Sequence, residues 1–313
     1  MFSALHNQAK FTYRLEPITG LLIKSGKESF DPTRPEMEFI RTWADLGGQI
    51  KEVPFLPGGS IKGIVRSHAE RILRTLNLRC CDITQKNGAC VSGKEDKKPP
   101  YKEHCFACRT FGYTTLASRV RFTDAYPWRL NDSGAEREEK FKQVHTEQRP
   151  GVKIDRRLGT AAKGALYDIE IVTSGNFFGE FTMRNYQFWQ MALLALVLRD
   201  INEGHQRVGA MKSRGLGRVK IVIEDFKFEQ YGVLANIDGQ IRGIGGVKDI
   251  IGPYDLVLDD AVIKPDSFKK EYVDTVRQVF VPNGVDAQIA WEQLAEAIVG
   301  SNHWQLFIQR KER

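Results

Sequence analysis

Residues 11 to 23, FTYRLEPITGLLI, alternate apolar and polar side chains in the manner of a half-buried strand, with breaks at Pro17 and Gly20. A loop rich in Gly, Ser, Pro and charge follows, KSGKESFDPTRPE, and then a short strand, MEFIRT. In PFLPGGSIKGIVRSHAERILRTL the residues Ile61, Ile64, Val65, Ile72, Leu73 and Leu76 recur at helical spacing, and Ser60 after two glycines is a natural N-cap. SRVRFTDAYPW, 118 to 128, predicts a strand, and 165 to 183 alternates as strands. Between them, 131 to 164 is charged, weakly periodic and expected outside the core. The segment from Gln187 to Asn202 is apolar on most sides, which predicts a buried helix, and GRVKIVIEDFKF predicts a strand after it.

The order strand, helix, strands, helix, strand predicts an α+β chain with a ferredoxin-like sheet and helices on one face. Residues 231 to 313 change character. They carry an acidic balance and a terminal helix from about Asp286 to Val299, and are expected to be an appended C-terminal extension for subunit contacts.

At 313 residues with 42% apolar content the chain can bury a sizeable core, which excludes a disordered polymer. Lys and Arg number 46 against 39 Asp and Glu, a net +7 that permits a polyanionic partner. The excess is uneven: residues 1 to 230 carry +10 and the remainder −3. The start has no basic, apolar and small-residue sequence of a secretory signal. The longest apolar run, FWQMALLALVL, falls short of the roughly 20 residues of a membrane span. A cytoplasmic protein with no membrane partner is the expectation.

All five cysteines, Cys80, Cys81, Cys90, Cys105 and Cys108, lie between 80 and 108, which is unlike a distributed disulfide framework. Cys105-x-x-Cys108 puts two thiolates on one tight turn, and two more complete the tetrahedral shell of zinc. Cys81, Cys90, Cys105 and Cys108 are the expected ligands, with Cys80 and His104 in reserve. Four sulfurs leave no open position for a catalytic water, so the predicted zinc is structural.

Two segments are suited to an anion. PGGSIKG opens a helix with backbone N–H groups, the Ser60 hydroxyl and the cations Lys62 and Arg66 in reach. RVGAMKSRGLGRVKI combines three glycines, which let backbone amides approach a phosphate, with Arg207, Lys212, Ser213, Arg214 and Arg218. Either could equally be ordinary helix-capping and turn chemistry with solvated charges.

Taken in order, PFLPGGSIKGIVRSHAE, CRTFGYTTLASRVRFTDA and IDRRLGTAAKGALYDIEIV leading to RVGAMKSRGLGRVKI resemble the RAMP superfamily of CRISPR systems, specifically the repeating backbone subunit of type III effector complexes. The resemblance spans about residues 12 to 228. It implies a ferredoxin-like (RRM-like) palm over 1–230, a zinc-binding insertion at about 78–112 and a thumb at about 131–164. The implied partners are a guide RNA (crRNA), a complementary target RNA and neighbouring subunits stacked head to tail. It passes guide contacts to Ser60, Lys62 and Arg66, with Gly59 where the family has serine, and to the glycine loop. In the thumb, Val144, Val152 or Ile154 would wedge between bases, and Arg149, Lys153, Arg156 and Arg157 could track phosphates. Active relatives cut target RNA with an aspartate on the loop after the first strand, where a carboxylate holds Mg²⁺ or Mn²⁺ for attack by a 2′-hydroxyl. The candidates here are Asp31 and Glu36, the second standing where the aspartate is usual.

Two alternatives remain at this level. A guide-processing endonuclease of the same superfamily would use histidines, of which His68, His145 and His205 have no evident second catalytic group in the sequence. A non-catalytic RNA-binding zinc subunit would bind without turnover.

Overall fold

The computed structural model describes residues 4–26, 34–82, 88–90, 100–236, 240–247, 268–274 and 276–309. Along the chain run β1 (Asn7–Pro17), β2 (Arg41–Asp45), β3 (Ile50–Pro54), α1 (Gly58–Thr75), α2 (Phe106–Phe111), β4 (Val120–Phe122), α3 (Gly134–Lys142), β5 (His145–Ile154), β6 (Ala161–Ser174), β7 (Phe177–Arg184), α4 (Phe188–Asn202), β8 (Val219–Tyr231), β9 (Phe268–Val273), β10 (Arg277–Pro282), α5 (Ala287–Val299) and α6 (Asn302–Gln309). The fold is α+β. Six strands form one antiparallel sheet in the order β4-β7-β1-β8-β10-β9, and two-stranded ribbons join β2 to β3 and β5 to β6.

Alternation in β1 decides which face is covered. Ala9, Phe11, Tyr13 and Leu15 are buried, while Gln8, Lys10, Thr12 and Arg14 between them stay partly open. Phe11 stacks on Phe181 of β7 and Phe226 of β8, with ring centroids 4.5 and 5.4 Å away, and meets Trp291 of α5 edge-on at 5.1 Å. Each such side chain contributes on the order of 2–3 kcal/mol by leaving water. Helix α4 lies within this layer, and Phe188, Met191, Leu194, Val197 and Leu198 bury several of its sides, as its unbroken apolar run predicts. The opposite face of the sheet carries ion pairs, diagonal between strands for Lys10 with Glu180 and Arg14 with Glu224, both at 2.9 Å, and along β8 for Lys227 with Glu229 at 2.9 Å.

Helix α1 starts two residues before the expected cap. Pro57 is the capping residue and offers no side-chain bond; the carboxylate of Asp124, just past β4, accepts from the Gly58 N–H at 2.7 Å. A Cβ at position 58 would sit 2.5 Å from the Phe122 carbonyl oxygen, so only glycine fits there. The expected strand over 118–128 shrinks to Val120–Phe122, followed by single bridges at Ala125 and Tyr126. The charged stretch 131–164 contains α3 and β5, and β5 pairs with the long β6 as an exposed hairpin. The described part of 231–313 is continuous with the core: β10 pairs with β8, and α5 and α6 pack against α4. Asp286 caps α5 by accepting from the N–H groups of Gln288 and Ile289.

Candidate nucleic-acid interface and cysteine centre

The glycine loop between α4 and β8 is built by backbone crowding. Gly209, Gly215 and Gly217 have φ of +84°, +90° and +83°. A side chain at Gly217 would overlap the Val208 carbonyl, and one at Gly209 the Leu22 carbonyl. These contacts allow three closing bonds: Val208 N–H to Gly217 O at 2.8 Å, Ala210 N–H to Leu22 O at 2.8 Å, and Gly217 N–H to Gly20 O at 2.9 Å. Arg207 braces the same loop from within, donating to the carbonyls of Lys212 and Leu216. Lys212, Ser213, Arg214 and Arg218 project to solvent. Arg214 lies against Tyr167 of β6, with its guanidinium 5.7 Å from the ring centre and a hydrogen bond to the hydroxyl, so the loop is tied to the base of the β5–β6 hairpin.

A groove of about 400 Å³ opens between this loop and one flank of α1. Ser60, Gly63, Ser67 and Arg71 supply the helix side; Gly209, Ala210 and Lys212 supply the loop side; Lys24 also lines it, and among the described residues no acidic side chain does. The spacing explains the helix side, since positions 60, 67 and 71 recur on one face. Lys212 has its pKa lowered by burial and then by the charge of Arg71. Two cations held against each other's repulsion over open space are suited to an anion between them. Arg71 was not among the residues singled out from the sequence, though the serine-serine-arginine stripe on α1 was there to be read.

Arg71 is itself held. Its Nη1 donates to Gln206 Oε1 at 3.3 Å and faces His68 Nδ1 at 3.4 Å, while His68 Nε2 meets Asp200 Oδ2 of α4 at 2.6 Å. His68 therefore does have a carboxylate partner, which the sequence did not reveal. It is buried between α1 and α4, with one nitrogen on Asp200 and the other beside Arg71. His145 and His205 are exposed.

Lys62 and Arg66 lie on the other flank of α1. Lys62 donates to Ser118 Oγ at 2.9 Å, and burial, then the charges of Arg66 and Arg121, lower its pKa. Arg66 reaches Glu70 at 2.8 Å, the Gly112 carbonyl at 3.0 Å and Cys108 Sγ at 3.6 Å. The helix N-terminus has also given its Gly58 N–H to Asp124. Of the three groups named on α1, Ser60 faces the groove and the two cations do not.

Cys81, Cys90, Cys105 and Cys108 converge, with their sulfurs all within 4.8 Å of one another. Cys81 Sγ is 3.1 Å from Cys90 and 3.6 Å from Cys105 and Cys108, and all are free thiols. Backbone N–H groups of Cys105 and Cys108 point at the sulfurs of Cys90 and Cys105 at 3.1 and 3.4 Å, as in a turn built to hold thiolates. Thiols of Cys108, Cys80 and Cys90 bonded to Cys105 drive its pKa down, while burial, then the bond with Cys90, pushes Cys81 up to about 12. Thiols that share protons in this way are suited to losing them to solvent when a cation binds, and four sulfurs in this arrangement can bind a metal such as zinc. Cys80, the reserve ligand, lies next to Cys105, outside the group of four.

Among the described residues these cysteines are the only His, Cys, Asp and Glu group able to hold a metal ion, so nothing comparable surrounds Glu36. Glu36 is exposed, one residue before Met37, which bridges Ile169 of β6. Asp31 lies outside the described residues. On the hairpin, Arg156 and Arg157 are exposed at the turn, and Arg149 pairs with Glu147 at 3.1 Å. Val152, Ile154, Leu158 and Leu166 are exposed, with Leu158 71% open at the turn itself, whereas Val144 packs against the core. Leu158 was missed because its charged neighbours mask it in the sequence.

An antiparallel α+β core carries a cationic groove on one flank of its first helix and a tetrathiol centre on the other, an arrangement suited to a polyanionic partner. The sequence model of the RAMP superfamily matches residues 45–220, more than half of the chain, and the chain belongs to that superfamily. No curated protein matches it. Membership points to a CRISPR-associated, RNA-binding role. No helix among the described residues is long and apolar enough to cross a membrane.

Proposed function

We propose that this chain is a guide-RNA-binding backbone subunit of a type III CRISPR effector complex. The observation that carries the reading is the groove in which Arg71 and Lys212 face one space with Ser60, Ser67 and Lys24, lined by no acidic side chain among the described residues. The order of the strands flanking α1 and α4, with β4, β7, β1 and β8 adjacent, supports a ferredoxin-like (RRM-like) palm, and the β5–β6 hairpin is then its thumb. The guide's phosphates run through the groove, contacted by Ser60, Arg71 and Lys212 and at its rim by Ser213, Arg214 and Arg218. Arg207 shapes the loop. Lys62 reaches RNA only along the opposite flank, while Arg156, Arg157 and the apolar turn of the thumb meet the guide–target duplex.

Target cleavage is a separate part of the proposal. Glu36 and Asp31 are its candidate carboxylates, with Mg²⁺ or Mn²⁺ brought in with the RNA. Assaying Asp31→Asn and Glu36→Gln separately on a guide-matched target in Mg²⁺ tests it, and full rates in both remove these residues from the chemistry. The guide-binding proposal is tested by isolating the intact assembly in low salt and sequencing its RNA. Discrete guide-length RNA that dissociates when Arg71 and Lys212 are both changed to Ala is expected; an assembly free of nucleic acid overturns the reading.

A further inference from the structure

The cysteine centre is not held by its four sulfurs alone. Cys105 opens α2 and Cys108 lies within it, but the face of α2 toward α1 is met by Arg66, whose three guanidinium nitrogens are all engaged. Nε goes to Glu70, Nη1 to the Gly112 carbonyl just past α2, and Nη2 to Cys108 Sγ. A divalent cation with four thiolates carries two net negative charges, and in a site this buried that charge is stabilised by a cation that also donates N–H groups to sulfur. Arg66 is the described side chain with a charged nitrogen on a ligand sulfur. Arg74, two turns along α1 from it, reaches the Cys81 carbonyl at 2.9 Å, and Glu70 between the two arginines balances one of their charges.

We infer that Arg66 is a positioning residue of the metal centre, an outer-sphere counter-ion that donates to the Cys108 thiolate and, through Gly112, fixes α2 and its ligands on α1. The inference rests on the cysteines binding a metal, not on the RNA-binding proposal. It also separates the flanks of α1: one is given to a polyanion, the other to a metal-thiolate anion that the chain makes for itself.

The test uses the full chain loaded with Zn²⁺ and, separately, with Co²⁺. Zinc retention is measured by competition with a chromophoric chelator, and the sulfur-to-cobalt charge-transfer band by absorption. Arg66→Met, which keeps the length but removes charge and donors, is expected to weaken zinc affinity roughly 10–100-fold and to shift the cobalt band, because an N–H bond to sulfur alters the thiolate's donor strength. Arg66→Lys should recover part of both, and Arg66→Gln less. If Arg66→Met does not fold, the Lys and Gln variants decide: better retention in Lys supports the counter-ion, and equal retention overturns it. Zinc affinity and a cobalt band unchanged in Arg66→Met overturn the inference. A wild-type chain that takes up neither metal overturns the metal reading beneath it.

Discussion

The Arg41 guanidinium holds the Glu170 carboxylate at both ends, Nη1 to Oε2 at 2.6 Å and Nη2 to Oε1 at 2.5 Å, while the Phe39 N–H adds a third bond at 3.0 Å. The pair joins the start of β2 to β6, so the segment that follows Glu36 is fixed to the β5–β6 hairpin. Burial works to raise the Glu170 pKa, but Arg41, by hydrogen bond and charge, and then Phe39 bring it below the ordinary carboxylate value. A carboxyl whose pKa is lower folded than unfolded adds stability above its unfolded pKa, and that stability is lost as pH falls through the folded value. Arg41→Met is therefore expected to lower stability at pH 7 by about 1–2 kcal/mol, less than the roughly 3–5 of a fully buried pair because solvent reaches this one. The difference from wild type should close on acidification below pH ~4. Denaturant titrations at several pH values measure it, and a difference that grows in acid contradicts the assignment.

The glycines of the loop should respond unequally. Gly217→Ala combines a positive φ with overlap on the Val208 carbonyl and should cost about 2–4 kcal/mol, whereas Gly215, with open space around it, should cost about 1 kcal/mol as alanine. Thermal midpoints of the two variants provide the comparison; equal losses would mean that the loop relaxes freely.

In the groove, Lys212→Ala and Arg71→Ala should each lower affinity for RNA of any sequence. Each should also reduce the slope of log affinity against log salt by about 0.7, the value for one lost contact to a single strand. Fluorescence anisotropy across a salt series reads both quantities. A slope that stays fixed in both variants would take the phosphates out of the groove.

The β5–β6 hairpin and its flank separate stability from contact. Leu158→Ser should leave the unfolding midpoint within about 0.5 kcal/mol of wild type because the side chain is already in water, while Val144→Ala should cost about 1 kcal/mol by opening a space beside Gly175. If the turn wedges between bases, a fluorescent base analogue placed in the guide–target duplex should lose its unstacked signal in Leu158→Ser alone.

Much of the core was legible because local periodicity and burial agree there. Helix α4, the apolar stripe of α1, the terminal helix from about Asp286 to Val299 and the four converging cysteines all follow from spacing. Helix α3 was also legible in principle: Ser133 and Glu136 bond reciprocally as a capping box, and that four-residue signature stands in the sequence within a densely charged stretch of weak periodicity. What could not be read depends on contacts between distant segments. Asp124 caps α1 from 66 residues away, β10 finds β8 across a long separation, and His68 meets Asp200 from another helix. The orientation of Lys62 and Arg66 was legible by contrast, since helical spacing turns positions two and six residues past Ser60 away from its face.

The ion pairs on the outer side of the sheet have a consequence for the whole molecule. There Lys10, Arg14 and Lys227 each lie within 3 Å of a glutamate, so these three cations are already paired on the protein itself. A drifting strand of nucleic acid would find these three cations already spent on their neighbours, and its hold on the protein has to come from others among the surplus positive charges of the first 230 residues.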